Sequence, residues 1–307
     1  MAQAVFAKDP VCTETSTGAL AMVHASPQPL LQDGDGKGSA RSASSMRFLV
    51  ARDLVFMPLF VAWYFAQAKF AEQPVVAAPV AQTPAAALLL QGLLAAVAVA
   101  VLIQQVCMTP PEPNDTMMVG VMSYIGRWVF LTRHCLALQA IHLLLSLAAG
   151  VSGSARLLHL TEGVAVWIGA LGWFVTIQFF SLVYRHPDFK ERCLHYAMRD
   201  PPVNLKLRAS LNHSPAIVLA ILDVTLARDH EALRSNCSIV KSLELSVAYA
   251  VFYFALLAVN YYATGYWPYP FMRSFTCTKW VIFFFTQTGI TVAFCLSEWG
   301  VSLLPVA

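Results

Sequence analysis

The chain has 307 residues, of which 58% are apolar and 12% charged, and its net charge is +3. Soluble domains carry about a quarter charged residues, so this composition argues against a water-soluble globule, and a charge this small and scattered gives nucleic acid no footprint. The class that remains is all-α: a polytopic membrane helix bundle of six or seven transmembrane helices whose solvent is the lipid bilayer.

Residues 1–46 mix Ser, Gly, Asp, Gln and Pro, as in LQDGDGKGSARSASS at 31–45, and read as a disordered polar tail. No apolar core of a signal peptide follows Met1. Residues 47–307 form the transmembrane domain. Its first apolar stretch, 54–68, is short and bounded by Asp53 and Lys69. Six further segments are spanning candidates: 85–106, 129–149, 163–184, 214–227, 241–262 and 280–297. The 214–227 segment is the weakest, being short and containing Asp223, but its start is marked: Ser214 suits the cap and Pro215 the first helical position.

Counting seven spans puts fourteen Lys and Arg on the side of the tail and five on the other. Dropping 54–68 reduces this to ten against nine, so the charge bias favours seven spans with the tail in the cytosol. Much of the bias sits in the connector 185–213, with Arg185, Lys190, Arg192, Arg199, Lys206 and Arg208. Three N-x-S/T sequons occur, at Asn114, Asn212 and Asn236, and only Asn236 falls on the side away from the tail.

Polar groups inside spans are expensive, and each must be satisfied by a neighbour or used for function. Here they are Thr132, Arg133, His134, Gln139, His142, Gln178, Asp223, Glu244, Asn260, Gln287 and Thr291. Thr132 opens the 129–149 helix and Gln139 lies about two turns further on, so the two form a polar stripe entering the bilayer from one side. His213 sits just before the 214–227 helix, beside Asn212. Asp223 is ten residues later, about 15 Å along a helix, too far to orient His213 directly. A Thr-His-Asp triad is therefore not read here.

Two spans separate Thr132 from His213, and two more separate His213 from the turn YYATGYWPYPFM at 261–272. All three regions lie on one membrane face, whether or not 54–68 spans. That turn alone would read as an interfacial aromatic belt. The seven cysteines show neither the paired spacing of a zinc site nor a dense disulfide framework. No metal and no cofactor is expected, and no protein partner is legible.

The three regions together resemble one family, the androgen-induced gene and androgen-dependent TFPI-regulating proteins. Trp128, Phe130, Leu131 and Thr132 give its W-x-F-L-T block, with Gln139 seven residues on. His213 and Asp223 give a histidine with an acid ten positions later. Thr264, Gly265, Trp267, Tyr269, Pro270 and Phe271 give T-G-x-W-x-Y-P-F, the most specific of the three. The likeness runs from about residue 126 to the C-terminal helix; the tail and the apolar segments before Trp128 have no counterpart in it. Ala209 stands where the family commonly has asparagine, and Tyr261 and Tyr262 stand where it has histidines.

The resemblance implies hydrolysis of fatty-acid esters of hydroxy fatty acids by a threonine nucleophile and a histidine, carried onto Thr132 and His213. Gln139, Asn212, Asp223, Thr264, Trp267 and Tyr269 would support the site. It also implies an endomembrane location, above all the endoplasmic reticulum. The chemistry is compatible, because a threonine hydroxyl needs a base and an imidazole near pKa ~6.5 suits that task at neutral pH. A non-catalytic membrane scaffold and a small-molecule transporter using Gln178, Asp223, Glu244 and Gln287 are the rival readings.

Overall fold

The computed structural model describes residues 38–71, 83–106, 116–199 and 204–303. The tail expected over 1–46 lies outside these up to residue 37, and its last residues are already helical. The helices are α1 (Gly38–Ala71), α2 (Ala85–Val106), α3 (Thr116–Val121), α4 (Leu131–Ser152), α5 (Ala155–Gln178), α6 (Pro187–Arg199), α7 (Leu205–Leu226), α8 (His230–Asn236), α9 (Ile239–Thr264) and α10 (Cys277–Ser302). A 3-10 turn at Gly126–Val129 precedes α4, and a π turn at Phe179–Val183 prolongs α5. There is no strand among the described residues.

Seven helices are long and apolar enough to cross a membrane: Ala51–Ala71, Ala85–Gln105, Leu131–Ser152, Ala155–Val183, Leu205–Leu226, Ile239–Thr264 and Cys277–Ser302. The protein is an integral multi-pass membrane protein. The short 54–68 candidate is thus the inner part of a full-length span, lengthened because a helix in lipid may include Asp53 only when that carboxylate is paired. Arg133 Nη2 lies 3.1 Å from Asp53 Oδ1, and its Nη1 donates to Leu102 O at 3.2 Å.

Helix starts follow side-chain chemistry. Ser154, Asn204, Asp229, Ser238 and Thr276 each accept a first-turn backbone N–H, satisfying donors with no partner inside the helix. Gly153 at φ 62° ends α4 and Gly265 at φ 73° ends α9, left-handed conformations that glycine adopts without penalty. The expected start of the fifth span is corrected by this rule. Asn204, not Ser214, is the cap, so Pro215 lies in the helix interior and His213 is nine residues into α7 rather than just outside it. A membrane helix tolerates such a proline because neighbours supply polar contacts. Close to it, two side chains of neighbouring helices bond to the α7 backbone: Thr176 Oγ1 donates to His213 O at 2.7 Å and Gln139 Nε2 to Ala216 O at 2.8 Å.

Helix α4 is the centre of the bundle, with every side chain from Leu131 to Leu143 buried. It packs against α2, α5 and α7. Close approach of α5 to its neighbours depends on glycine, as small residues permit in membranes. A Cβ at Gly172 would fall 2.5 Å from Ala216 O and 2.6 Å from Gln139 Nε2, and one at Gly169 would fall 2.3 Å from Glu298 Oε1. Gly172→Ala should therefore cost about 1–3 kcal/mol through forced separation of α5 and α7, read as a lowered melting temperature of the detergent-solubilised protein. Gly289→Ala, where a Cβ meets open space, should not lower it and should raise it slightly, since alanine favours a helix interior over glycine.

Candidate active site

At one end of the bundle the start of α4, the end of α5, the first half of α7, the end of α9 and the start of α10 surround a cavity. It is a narrow cleft, about half open to the outside. Phe174, Leu182, Phe254, Leu257 and Phe283 give it apolar walls, and among the described residues no Lys, Arg, Asp or Glu lines it. Its polar side chains are Thr132, Gln178, His213, Tyr253, Tyr269 and Gln287.

Thr132 is the second residue of α4 and is buried. Thr161, Thr225, Thr264 and Thr291 each donate back to a carbonyl three or four residues earlier, the usual fate of a helical threonine. Thr132 Oγ1 makes no such bond among the described residues. Its N–H is one of the first-turn donors that no carbonyl within the helix can reach.

Two tyrosines hold this helix end. Phe130 offers no side-chain cap. Instead the Leu131 N–H donates to Tyr253 Oη at 3.0 Å, while Tyr253 Oη donates to Val129 O at 3.0 Å. Tyr269 Oη lies 2.9 Å from Tyr253 Oη and, with that proton committed, donates to it. Burial pushes the Tyr269 hydroxyl above its ordinary pKa, so it remains a neutral donor.

His213 is fixed on both sides. Its Nδ1–H donates to Ala209 O at 2.7 Å, which leaves the lone pair on Nε2. The Phe179 ring, at the first position of the π turn, stacks on the imidazole with centroids 3.5 Å apart and planes 9° from parallel. No hydrogen bond joins His213 to Thr132 directly; the two share the cavity.

The remaining sequence-predicted residues separate from this pair. Gln139 does not continue a stripe from Thr132 into one space: it lines a second, much smaller gap with His142 and Asp223. Its amide donates to Ala216 O, so that nitrogen is spent on tying α4 to α7. Asn212 is buried but does not line the main cavity. Asp223 belongs to the opposite half of the bundle, as its spacing from His213 required. Its Oδ2 accepts from Arg228 Nε at 2.9 Å and lies 3.1 Å from His142 Nε2. His142 Nδ1 bonds to Tyr64 Oη at 2.9 Å, and Arg228 Nη2 donates to Ser146 Oγ at 2.7 Å. Burial opposes the Arg228 charge, but the Asp223 carboxylate holds its pKa above the ordinary arginine value.

Of the third block, Tyr269 and Phe271 line the cavity, while Thr264 and Trp267 do not. Thr264 Oγ1 donates to Asn260 O at 2.7 Å and accepts the Tyr266 N–H at 3.1 Å, shaping the turn. Trp267 stacks on Tyr261 with centroids 4.2 Å apart and planes 8° from parallel. Glu244, one of the intramembrane polar groups of the transporter reading, is exposed and lies 3.2 Å from Lys241. Asn236, the one sequon facing away from the tail side, spends its amide nitrogen on Glu162 Oε2. Tyr253 and Phe179 were not legible as site residues: Tyr253 sits in an unbroken aromatic-apolar run, and Phe179 is one of two adjacent phenylalanines with nothing to distinguish it.

The family model described as FAR-17a/AIG1-like protein matches residues 87–299. The chain belongs to that family. The match begins inside α2, well before the likeness read from about residue 126, so α2 is part of the family's region. Comparisons with curated proteins and with solved structures gave no match. In this family member, no group of three or more metal-ligating side chains occurs among the described residues.

Removing Arg228 alone should strand the Asp223 carboxylate in the bundle. Arg228→Met is expected to cost about 3–5 kcal/mol, and the double variant Arg228→Met, Asp223→Leu markedly less. Thermal unfolding of the two proteins in the same detergent checks this order.

Proposed function

We propose that this protein is a membrane lipid-ester hydrolase acting on fatty-acid esters of hydroxy fatty acids, with Thr132 as nucleophile and His213 as base. The observation that carries the reading is that an unbonded threonine hydroxyl and an imidazole with its Nε2 lone pair free line one apolar cavity. Family membership supports the same class.

In the first half-reaction His213 Nε2 accepts the Thr132 hydroxyl proton as Oγ1 bonds to the ester carbonyl carbon. The tetrahedral oxyanion that results carries one negative charge. The Thr132 N–H, at the positive end of α4, is the donor best suited to it. Gln139, with its nitrogen committed to Ala216 O, does not serve. The tetrahedral adduct then collapses: the bond to the alcohol oxygen breaks, His213 gives that oxygen the proton, and the hydroxy fatty acid leaves. Water, deprotonated by His213, attacks the acyl-threonine and releases the fatty acid with the threonine restored. Tyr253 and Tyr269 act by fixing the end of α4, and hence the nucleophile, against the base.

The tail lies in the cytosol in this reading, by the excess of Lys and Arg on its side, and the protein resides in the endoplasmic reticulum or another endomembrane. A protease added to sealed microsomes should then remove an epitope at residue 1; protection of the epitope would reverse the orientation.

A fluorophosphonate probe on the solubilised protein tests the chemistry. Wild type should label, and Thr132→Ala should abolish labelling. His213→Ala should slow it by about 100-fold or more, the scale of a lost general base. A well-folded wild type that does not label would leave the scaffold or transporter reading in force.

A further inference from the structure

The connector between α5 and α7 holds six Lys or Arg and three acidic residues between 185 and 208. The spans it joins end at Val183 and begin again at Leu205, so both ends of this segment lie at the membrane boundary. Within it α6 is amphipathic, and Leu194 on that helix is 64% exposed, a side chain suited to the headgroup boundary. Arg185, Lys190 and Lys206 are exposed, while of the acids Asp188 is 3.4 Å from His186 and Glu191 is exposed.

This surface is joined to the cavity by a continuous aromatic chain. Lys206 Nζ lies 5.8 Å over the Tyr184 ring. Tyr184 packs against Phe179 at 5.9 Å, and Phe189 of α6 packs against both, at 5.7 Å from Tyr184 and 5.8 Å from Phe179. Phe179 is the residue stacked at 3.5 Å on His213. The π turn that carries Phe179 spans Phe179–Val183, an irregularity of a kind frequent at functional sites.

We propose that Arg185, Lys190 and Lys206 dock on anionic phospholipid headgroups, and that this docking holds α6 on the aromatic cluster through which Phe179 orients His213. Phe179 is thus a positioning residue, and the site responds to the surface charge of its own membrane. The orienting half of the proposal rests on His213 being the base; the docking half does not.

The full chain is reconstituted in phosphatidylcholine nanodiscs with and without phosphatidylserine. Hydrogen exchange at residues 185–199 and the rate of fluorophosphonate labelling are then measured. Phosphatidylserine should slow the exchange about fivefold or more and speed the labelling several-fold. High salt, or the combined Arg185→Gln, Lys190→Gln, Lys206→Gln variant, should remove both effects. Phe179→Leu should keep the exchange effect and lose the lipid dependence of labelling, and Phe179→Tyr should restore it. Equal exchange in the two membranes would overturn the docking. Slowed exchange with an unchanged labelling rate in wild type would overturn the coupling. Wild type that labels in neither membrane would refute the hydrolase reading and with it the orienting role, while the exchange comparison still decides the docking.

Discussion

Desolvation of the polar side chains on α4 governs the arrangement of the bundle. Between Thr132 and Ser146 this helix carries an arginine, two histidines, a glutamine and a serine, and lipid can satisfy none of them. The helix therefore takes the centre, and each neighbour is positioned by the partner it brings: α1 supplies Asp53 and Tyr64, α2 the Leu102 carbonyl, α7 Asp223 and the Ala216 carbonyl, α9 Tyr249 and Tyr253. His134 is satisfied on both sides, giving Nε2–H to Trp128 O and accepting from Tyr249 Oη at 2.7 Å, whereas Gln139 Oε1 and Arg133 Nε have no hydrogen-bond partner among the described residues.

The two ends of that central helix have opposite character as a result. Toward its C-terminus, charges are buried but mutually neutralised, with Asp223, Arg228, His142, Ser146 and Tyr64 in one closed network. Such a network fixes register between helices at little net gain in stability. Toward its N-terminus the helix opens on apolar walls, with few polar atoms and no ion. The Thr132 hydroxyl and the His213 imidazole there face no competing charge among the described residues, and backbone dipoles at the start of α4 act in a low dielectric where they are strongest.

Capture of the α4 terminus by tyrosines from α9 and from the turn after it shows how these two regions of the sequence meet. A side-chain cap on the helix itself would have occupied the first-turn donors. With Phe130 at that position, the Leu131 N–H is taken by Tyr253 from another helix, and the neighbouring Thr132 N–H stays available. The aromatic turn at 261–272 is in this sense both an interfacial belt and a wall of the cavity: Trp267 anchors it and Tyr269 reaches in.

Composition and spacing sufficed for the class of this protein and for bringing Thr132, His213 and Tyr269 to one end of the bundle, and favoured seven spans over six. Those follow from hydropathy and from counting crossings, which are properties of the chain taken one segment at a time. Spacing alone also ruled out pairing of His213 with Asp223, because a helix rises a fixed distance per residue. It could not tell that Asn204 rather than Ser214 starts α7, since both residues cap and only the packing of the segment before Pro215 chooses between them. Nor could it separate Gln139 from Thr132, tie Asp223 to Arg228, or mark Tyr253 and Phe179 among their aromatic neighbours. Those depend on which side chains of different helices face each other, and that is decided by rotation and close approach, set here by glycines such as Gly172 and by the need to hold the polar groups of α4 away from lipid.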